Sequence, residues 1–388
     1  MSYRKMKLEE IGKIVSGATP KTSTQDNFGG DIAWITPADL SGYTKKYISH
    51  GKRNITEMGY NSCSTQLMPK GSVLFSSRAP IGYVAIAENP LCTNQGFKSI
   101  VPNDLIDSEF LYYQLKYLSK SIQDKGTGTT FKEISAKTLG KIEIVVPLLS
   151  EQKNIVSRIE ELFSKLDKGV ETLQTIKQQL AVYRQVILKE EFAETTKYAP
   201  FGTIMQSRLG KMLDKKKNTG VLQRYLRNIN VRWFSFDLSD IQQMKIEPSE
   251  HEKYSIEPGD LIICEGGEPG RCAVWESSET VYYQKALHRV RFCADKNPKY
   301  YMYYLWYAAQ CGKLSSYFTG TGIKHLTGQS LERVPVPVIE RENQDSVVER
   351  IETHLSVCKS IEMTICTALM QADAMRQSIL KQAFEGEI

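Results

Sequence analysis

Two stretches of the chain carry a hydrophobic pattern that only a long helix explains. Ile155, Ile159, Leu162, Leu166, Gly169, Leu173, Ile176, Leu180, Tyr183 and Ile187 follow one another at alternating steps of four and three, and all but Gly169 are apolar. A seam kept over about five heptads specifies a coiled coil rather than an ordinary surface helix. The same spacing returns at Val347, Ile351, His354, Cys358, Ile361, Ile365, Ala368, Ala372, Met375 and Ile379, where the side chains are smaller. Bulky residues on one seam and small ones on the other suit two unlike helices packing tightly, so the two are read as partners within one chain. The alternative is that each pairs with another chain. Each helix spans about 40 residues, roughly 60 Å at 1.5 Å per residue.

The two helices are copies. Arg184-Gln185-Val186-Ile187-Leu188-Lys189 recurs as Arg376-Gln377-Ser378-Ile379-Leu380-Lys381, and 14 of 40 positions agree between 155–194 and 347–386. A period this long is a duplicated module, not a solenoid repeat. What precedes each helix repeats more loosely. Gly71-Ser72-Val73-Leu74-Phe75 resembles Gly259-Asp260-Leu261-Ile262-Ile263, and a Pro and a Gly follow each (Pro80 and Gly82; Pro269 and Gly270). Asn94-Gln95-Gly96-Phe97 falls where Tyr283-Gln284-Lys285-Ala286 does, and Tyr112-Tyr113-Gln114-Leu115 where Tyr303-Tyr304-Leu305-Trp306 does. Gly126-Thr127-Gly128 aligns with Gly320-Thr321-Gly322, and Ile142–Pro147 with Val334–Pro337. Short β-branched runs broken by Gly, Pro and Asn, with one Tyr/Leu-rich helix each, predict mixed units dominated by β structure.

Composition narrows the functions. The chain has 388 residues, 41% hydrophobic and 24% charged, enough for two or three cores. No apolar run is long enough to span a membrane, and the start lacks the apolar core of a signal peptide, so a cytoplasmic location is expected. The eight Cys show no zinc spacing and read as reduced, packed thiols. The net charge of +6 is unevenly placed: between Met205 and Ser235, Arg208, Lys211, Lys215, Lys216, Lys217, Arg224, Arg227 and Arg232 stand against the single acid Asp214. With Tyr225 and Trp233 among them, they carry the electrostatic footprint of phosphate-backbone binding. Candidate DNA contacts are those eight together with Lys21, Arg78, Gln95, Lys98, Lys125 and Lys132 in the first unit and Arg271, Gln284, Lys285 and Lys324 in the second, most beside the repeated Gly/Pro turns, where scaffolds place recognition groups. No phosphate-cradling P-loop, dinucleotide fingerprint or adenine-methylase Asn-Pro-Pro-aromatic loop is present. Glu151-Gln152-Lys153 has a nuclease-like spacing but opens a helix without an Asp partner.

The ordered double set resembles the specificity subunit of Type I restriction-modification enzymes over essentially the whole chain. Its carriers are the two Gly-Thr-Gly turns, the apolar-Pro strands after them, Glu151-Gln152 and Asn343-Gln344 opening the helices, and the two Arg-Gln-x-Ile-Leu-Lys segments. Departures are small: the Pro337 stretch needs a two-residue gap against Pro147, and the second helix is poor in Leu. The resemblance implies an α+β fold with two mixed, mainly β target recognition domains separated by two long antiparallel coiled-coil helices, a pseudo-two-fold internal duplication. Residues 1–150 and 196–342 would be the recognition domains, 151–195 and 343–388 the spacer helices. It further implies a non-catalytic adaptor that reads a bipartite, asymmetric double-stranded DNA target and docks two modification (methyltransferase) subunits and restriction/translocase subunits. S-adenosylmethionine, ATP and Mg²⁺ would be used on those partner chains, with no cofactor or metal here. The seam residues Ile155, Ile159, Leu162, Leu166, Leu173, Ile176, Leu180, Ile187, Val347, Ile351, Ile361, Ile365, Met375 and Ile379 are the expected helix-pairing and partner-binding set. A Type IIB specificity subunit and a coiled-coil scaffold without a DNA role are the alternatives.

Overall fold

A computed structural model describes residues 4–128, 132–193, 196–214 and 218–387. They form an α+β chain in two compact units, Met1–Leu173 with Thr367–Ile388, and Gln174–Cys366.

In the first unit, strands Gly12–Ser16, Lys98–Pro102, Val73–Ser77 and Ile81–Ala87 lie side by side in that order, with Tyr47–Ile48 at the edge. Val73–Ser77 is buried along its whole length, as a run covered on both faces must be. Alternation sends Val73, Phe75, Val84 and Ile86 into one core with Phe110 and Leu111, and Leu74, Ala85 and Ala87 into a second core with Leu40, Met68 and Leu91. Phe110 and Leu111 belong to helix Ser108–Asp124, whose start is fixed by Asp107 accepting the Glu109 and Phe110 amides.

The second unit repeats this sheet in register. Its strands Met205–Leu209, Leu287–Phe292, Leu261–Cys264 and Cys272–Val274 follow the same order. Val73 lies opposite Ile86 and Ile100 in the first unit, and Leu261 opposite Val274 and Val290 in the second. Helix Pro298–Gln310 is capped by Asn297. The second unit also has a sheet of Gln242–Ile246, Val221–Leu226, Val281–Tyr283 and Ser255–Ile256.

Backbone hydrogen bonds correct three of the sequence alignments. Thr127 and Glu133 exchange amides across a tight loop, and Thr319 and His325 do the same. Gly128 therefore corresponds to Gly320, both with positive φ (125° and 96°), and the alignment of the two Gly-Thr-Gly triplets is two residues out of register. Phe97 closes on Asn94 as Leu287 closes on Gln284, so Gln95 corresponds to Lys285. The Leu8 amide meets the Ile142 carbonyl and the Phe201 amide the Val334 carbonyl, each at 2.9 Å. The copies therefore stay in step into the long helices without the gap near Pro337. Glycine-rich and Val-Pro runs align equally well in several registers by composition; only the ladder decides.

The long helices are unbroken, Leu149–Ala193 and Arg341–Glu385, 45 residues each. In the second unit Arg184 pairs with Glu362 and Arg350 with Glu191, both at 2.6 Å, which makes the helices antiparallel. In the first unit Arg376, near the end of the second helix, pairs with Asp167 and lies over the Phe163 ring of the first.

The seam is rotated from the one read off the apolar spacing. Ile159, Leu180 and Ile187 are buried, as are Ile351, Cys358, Ile365, Ala372 and Ile379. The positions between them are mostly not those expected: Ile176, Tyr183, Ile361 and Met375 are 36–54% exposed, and Gly169 faces open space. The half-buried intervening positions are Phe163, Val170, Arg184, Leu355, Glu362, Leu369 and Arg376, together with Leu162 and Ala368 of the expected set. Three of those nine are charged, and ion pairs complete the seam there. A count of apolar residues cannot see a stripe finished by arginines. Ile155 is half-buried because its turn packs against the first core, and Val347, at the equivalent turn, is buried.

The two copies also anchor the helices alike. Gln152, fully buried, donates to the Leu105 and Pro147 carbonyls (both 2.9 Å) and accepts the Asp107 amide (2.8 Å). Gln344 donates to the Ile339 carbonyl (2.8 Å) and accepts the Asn297 amide (2.7 Å). Each glutamine ties the first turn of a long helix to the cap of its unit's shorter helix, so Glu151-Gln152-Lys153 is a structural helix start. Gln152→Leu keeps the bulk but strands three backbone groups, the buried Pro147 carbonyl among them. Chemical denaturation is expected to show a loss of roughly 2–3 kcal/mol; an unchanged midpoint would show that water replaces the amide.

Candidate nucleic-acid interface

The repeated turns gather into one loop frame in each unit. In the first, the Ser77 amide meets the Gly96 carbonyl (2.7 Å), the Ile134 amide the Ser77 carbonyl (3.0 Å) and the Ala18 amide the Thr93 carbonyl (3.0 Å). These bonds join the described residues of the loops at 17–21, 77–81, 93–98, 126–128 and 132–134. Gly17 is required there, because a Cβ would lie 2.2 Å from the Thr93 and Asn94 carbonyl oxygens. The second unit makes the same bonds: Glu265 to Ala286 (2.9 Å), Leu326 to Glu265 (2.7 Å) and Lys211 to Tyr283 (3.1 Å). Gly210 takes the place of Gly17, with the Gln284 carbonyl oxygen 2.3 Å from a would-be Cβ.

The first frame brings most of its predicted residues together. Arg78 and Lys98 flank Glu133 at 3.7 and 3.6 Å. The Thr19 hydroxyl donates to the Gln95 side chain, and Lys21, Lys125 and Lys132 are exposed around them. In the second frame Lys285 and Lys324 are exposed and Gln284 is half-buried. Arg271 is held inward, donating to Glu268 (2.8 Å) and the Asn228 carbonyl (2.9 Å). Sequence reasoning missed Glu133 and His325: neither is a Lys or Arg, and only the fold brings them to the loop tips.

Of the basic segment's five described cations, four are paired with carboxylates. Arg224 pairs with Glu279, Arg227 with Asp240 (2.6 Å) and Arg232 with Asp237 (3.5 Å). Lys211 is 6% exposed and pairs with Glu250, so it is a buried structural cation and not a DNA contact. Burial opposes ionisation of Glu250, yet the Lys211 hydrogen bond and the Glu247 amide hold its carboxyl below the usual range. Counting charge along the chain misses these acids because all four lie beyond residue 235 in sequence. Lys215, Lys216 and Lys217 lie outside the described residues. Arg208 is exposed with no carboxylate partner among the described residues. It stands directly opposite Arg289 across the strand pair, in a cleft of about 430 Å³ that Gln206, Glu252, Lys253 and Arg291 also line. Arg291 is clamped by Asp260 and Glu257 (2.8 Å each), and buried Arg289 donates to the Ser255 carbonyl. Arginines directly opposite one another repel unless an anion lies between them.

No helix among the described residues is long and apolar enough to cross a membrane.

One loop frame built twice, each with its own side chains, and two continuous helices define an internally duplicated α+β protein. The Type I restriction modification DNA specificity domain model matches residues 2–181. The MjaIX specificity subunit of Methanocaldococcus jannaschii is 41% identical over 239 residues, 58% of this chain and 55% of that protein, so the match spans about half of the relative. A chain from a study of complex assembly and conformational transition of the type I R-M system shares the fold with a TM-score of 0.78 at 16% identity, over 100% of this chain and 98% of that one. The HsdS subunit from Thermoanaerobacter tengcongensis does so with a TM-score of 0.63 at 16% identity, over 100% and 97%. Residues 2–181 thus resemble the Type I restriction modification DNA specificity domain, and the chain is similar in sequence and fold to Type I specificity subunits.

Proposed function

We propose that this chain is the DNA-specificity subunit of a Type I restriction-modification system, reading a split, asymmetric double-stranded target without performing the chemistry itself. The observation that carries this reading is the loop frame, hydrogen-bonded identically in both units while its tips differ. Two readers of one design and different side chains suit two different half-sites. Lys and Arg position the phosphate backbone, and polar tips reach base edges. Modification subunits, using S-adenosylmethionine, dock on the helices, and restriction subunits, using ATP and Mg²⁺, complete the assembly. Large apolar side chains left open on the helices support a docking role: Val182 is 60%, Val357 53% and Met370 67% exposed.

Two outcomes are expected. The purified chain alone, given S-adenosylmethionine, ATP and Mg²⁺, neither methylates nor cleaves DNA, while the complex with its partners methylates a bipartite motif. Turnover that follows the lone chain through further purification would refute the adaptor role. Arg208→Ala should weaken cognate and random DNA alike and make the log–log salt dependence shallower by about 0.9. Arg224→Ala, already paired to Glu279, should change the slope less; equal changes would show that the Glu279 pair opens on DNA.

A further inference from the structure

We infer that the duplication itself separates two kinds of loop-tip residue. Lys132 and Lys324 hold phosphates, whereas Gln95 and Lys285, with the neighbouring pairs Arg78–Glu133 and Gly266–His325, select bases. This rests on the DNA-reading function proposed above.

The frame's hydrogen bonds make the correspondence position by position. The Thr127–Glu133 and Thr319–His325 exchanges place Lys132 and Lys324 at the same point, one residue before the chain turns back into the frame. Both are exposed, and both are lysine. The Ser77–Gly96 and Glu265–Ala286 bonds, with the Phe97–Asn94 and Leu287–Gln284 closures, place Gln95 and Lys285 at one tip. There the residue types differ, although the backbone beneath them does not.

A second difference is coupled. In the first unit Glu133 lies between Arg78 and Lys98. In the second, His325 stands for Glu133 and Gly266 for Arg78. A Cβ on Gly266 would come within 3.1 Å of His325 Nδ1, so the imidazole fills the space a side chain at 266 would need. The two positions have changed together, which keeps the frame and replaces an ion pair with a ring.

The phosphate backbone is the same at every site, so a residue that meets it has no reason to differ between the readers. Base edges differ between half-sites, so the residues that meet them must differ. Lysine suits phosphate holding as a mobile point charge. For base selection, a glutamine matches the adenine edge and a lysine the guanine acceptors. The first unit's half-site should therefore hold an adenine that depends on Gln95, and the second's a guanine that depends on Lys285.

The test uses the full chain co-expressed with its modification subunits. The methylated motif is read by sequencing, and binding of the purified complex to cognate and scrambled duplexes is measured over a salt series. Lys132→Ala and Lys324→Ala should leave the motif unchanged, weaken both duplexes equally and make each salt slope shallower by about 0.9. Gln95→Ala should relax one position, an adenine, in one half-site, and Lys285→Ala one guanine in the other, each lowering cognate affinity about tenfold and leaving scrambled DNA unaffected. All four side chains are exposed, so thermal melting should match the parent and certify folding. A motif altered by Lys132→Ala, or half-sites untouched by both Gln95→Ala and Lys285→Ala, overturns the assignment while the parent's bipartite motif stands. A parent complex without a bipartite motif overturns the DNA-reading function, and this assignment with it.

Discussion

Phe192→Ala is expected to cost about 3–5 kcal/mol of stability, among the largest losses of any single truncation in the chain. Phe192 closes the first long helix and is 1% exposed. Its ring lies 5.4, 5.4 and 5.5 Å from those of Tyr300, Tyr304 and Tyr307. Phe384 ends the second helix in the same way, against Phe110 and Tyr117 at 5.4 and 5.7 Å. Each unit is thus closed by the helix that begins in the other copy. Removing the phenyl group leaves a cavity walled by rigid rings that cannot collapse into it. Urea or guanidinium denaturation gives the loss directly. The control is Ile176→Ala, at a position 36% exposed, where a change below about 1 kcal/mol is expected. A loss at Ile176 as large as at Phe192 would restore it to the helix seam.

The duplication, the two helices and the β-rich units were legible because each leaves a local signature: identity at a fixed shift, heptad spacing, β-branched runs between turns. What failed was whatever depends on a partner distant in sequence. The seam's face was misread because Arg184, Glu362 and Arg376 complete it by ion pairing. The basic segment looked free because Asp237, Asp240, Glu250 and Glu279 reach it only in the fold. The turns that build the loop frame were recognisable from Gly and Pro. Their register needed the hydrogen bonds of Thr127 and Thr319. Gln152 and Gln344 stood out only as paired letters at two helix starts; their burial shows that they lock the helices to the units.

On the DNA-reading function proposed above, the paired helices are expected to set the distance between two half-sites, as dimer geometry does in other readers. Lengthening one helix alone would break its register with the other. A matched heptad after residues 173 and 365 keeps both seams in phase, because Leu173 and Ile365 occupy equivalent seam positions. It adds about 10 Å, or about three base pairs at 3.4 Å each. The insertion also turns one reader around the duplex, so partial activity is expected. The measurement is the methylated motif of the lengthened complex, read by sequencing. The account predicts that both half-site sequences stay the same while the unread spacer between them grows by about three base pairs. A folded, active complex whose spacer is unchanged, or whose half-sites themselves change, would contradict it.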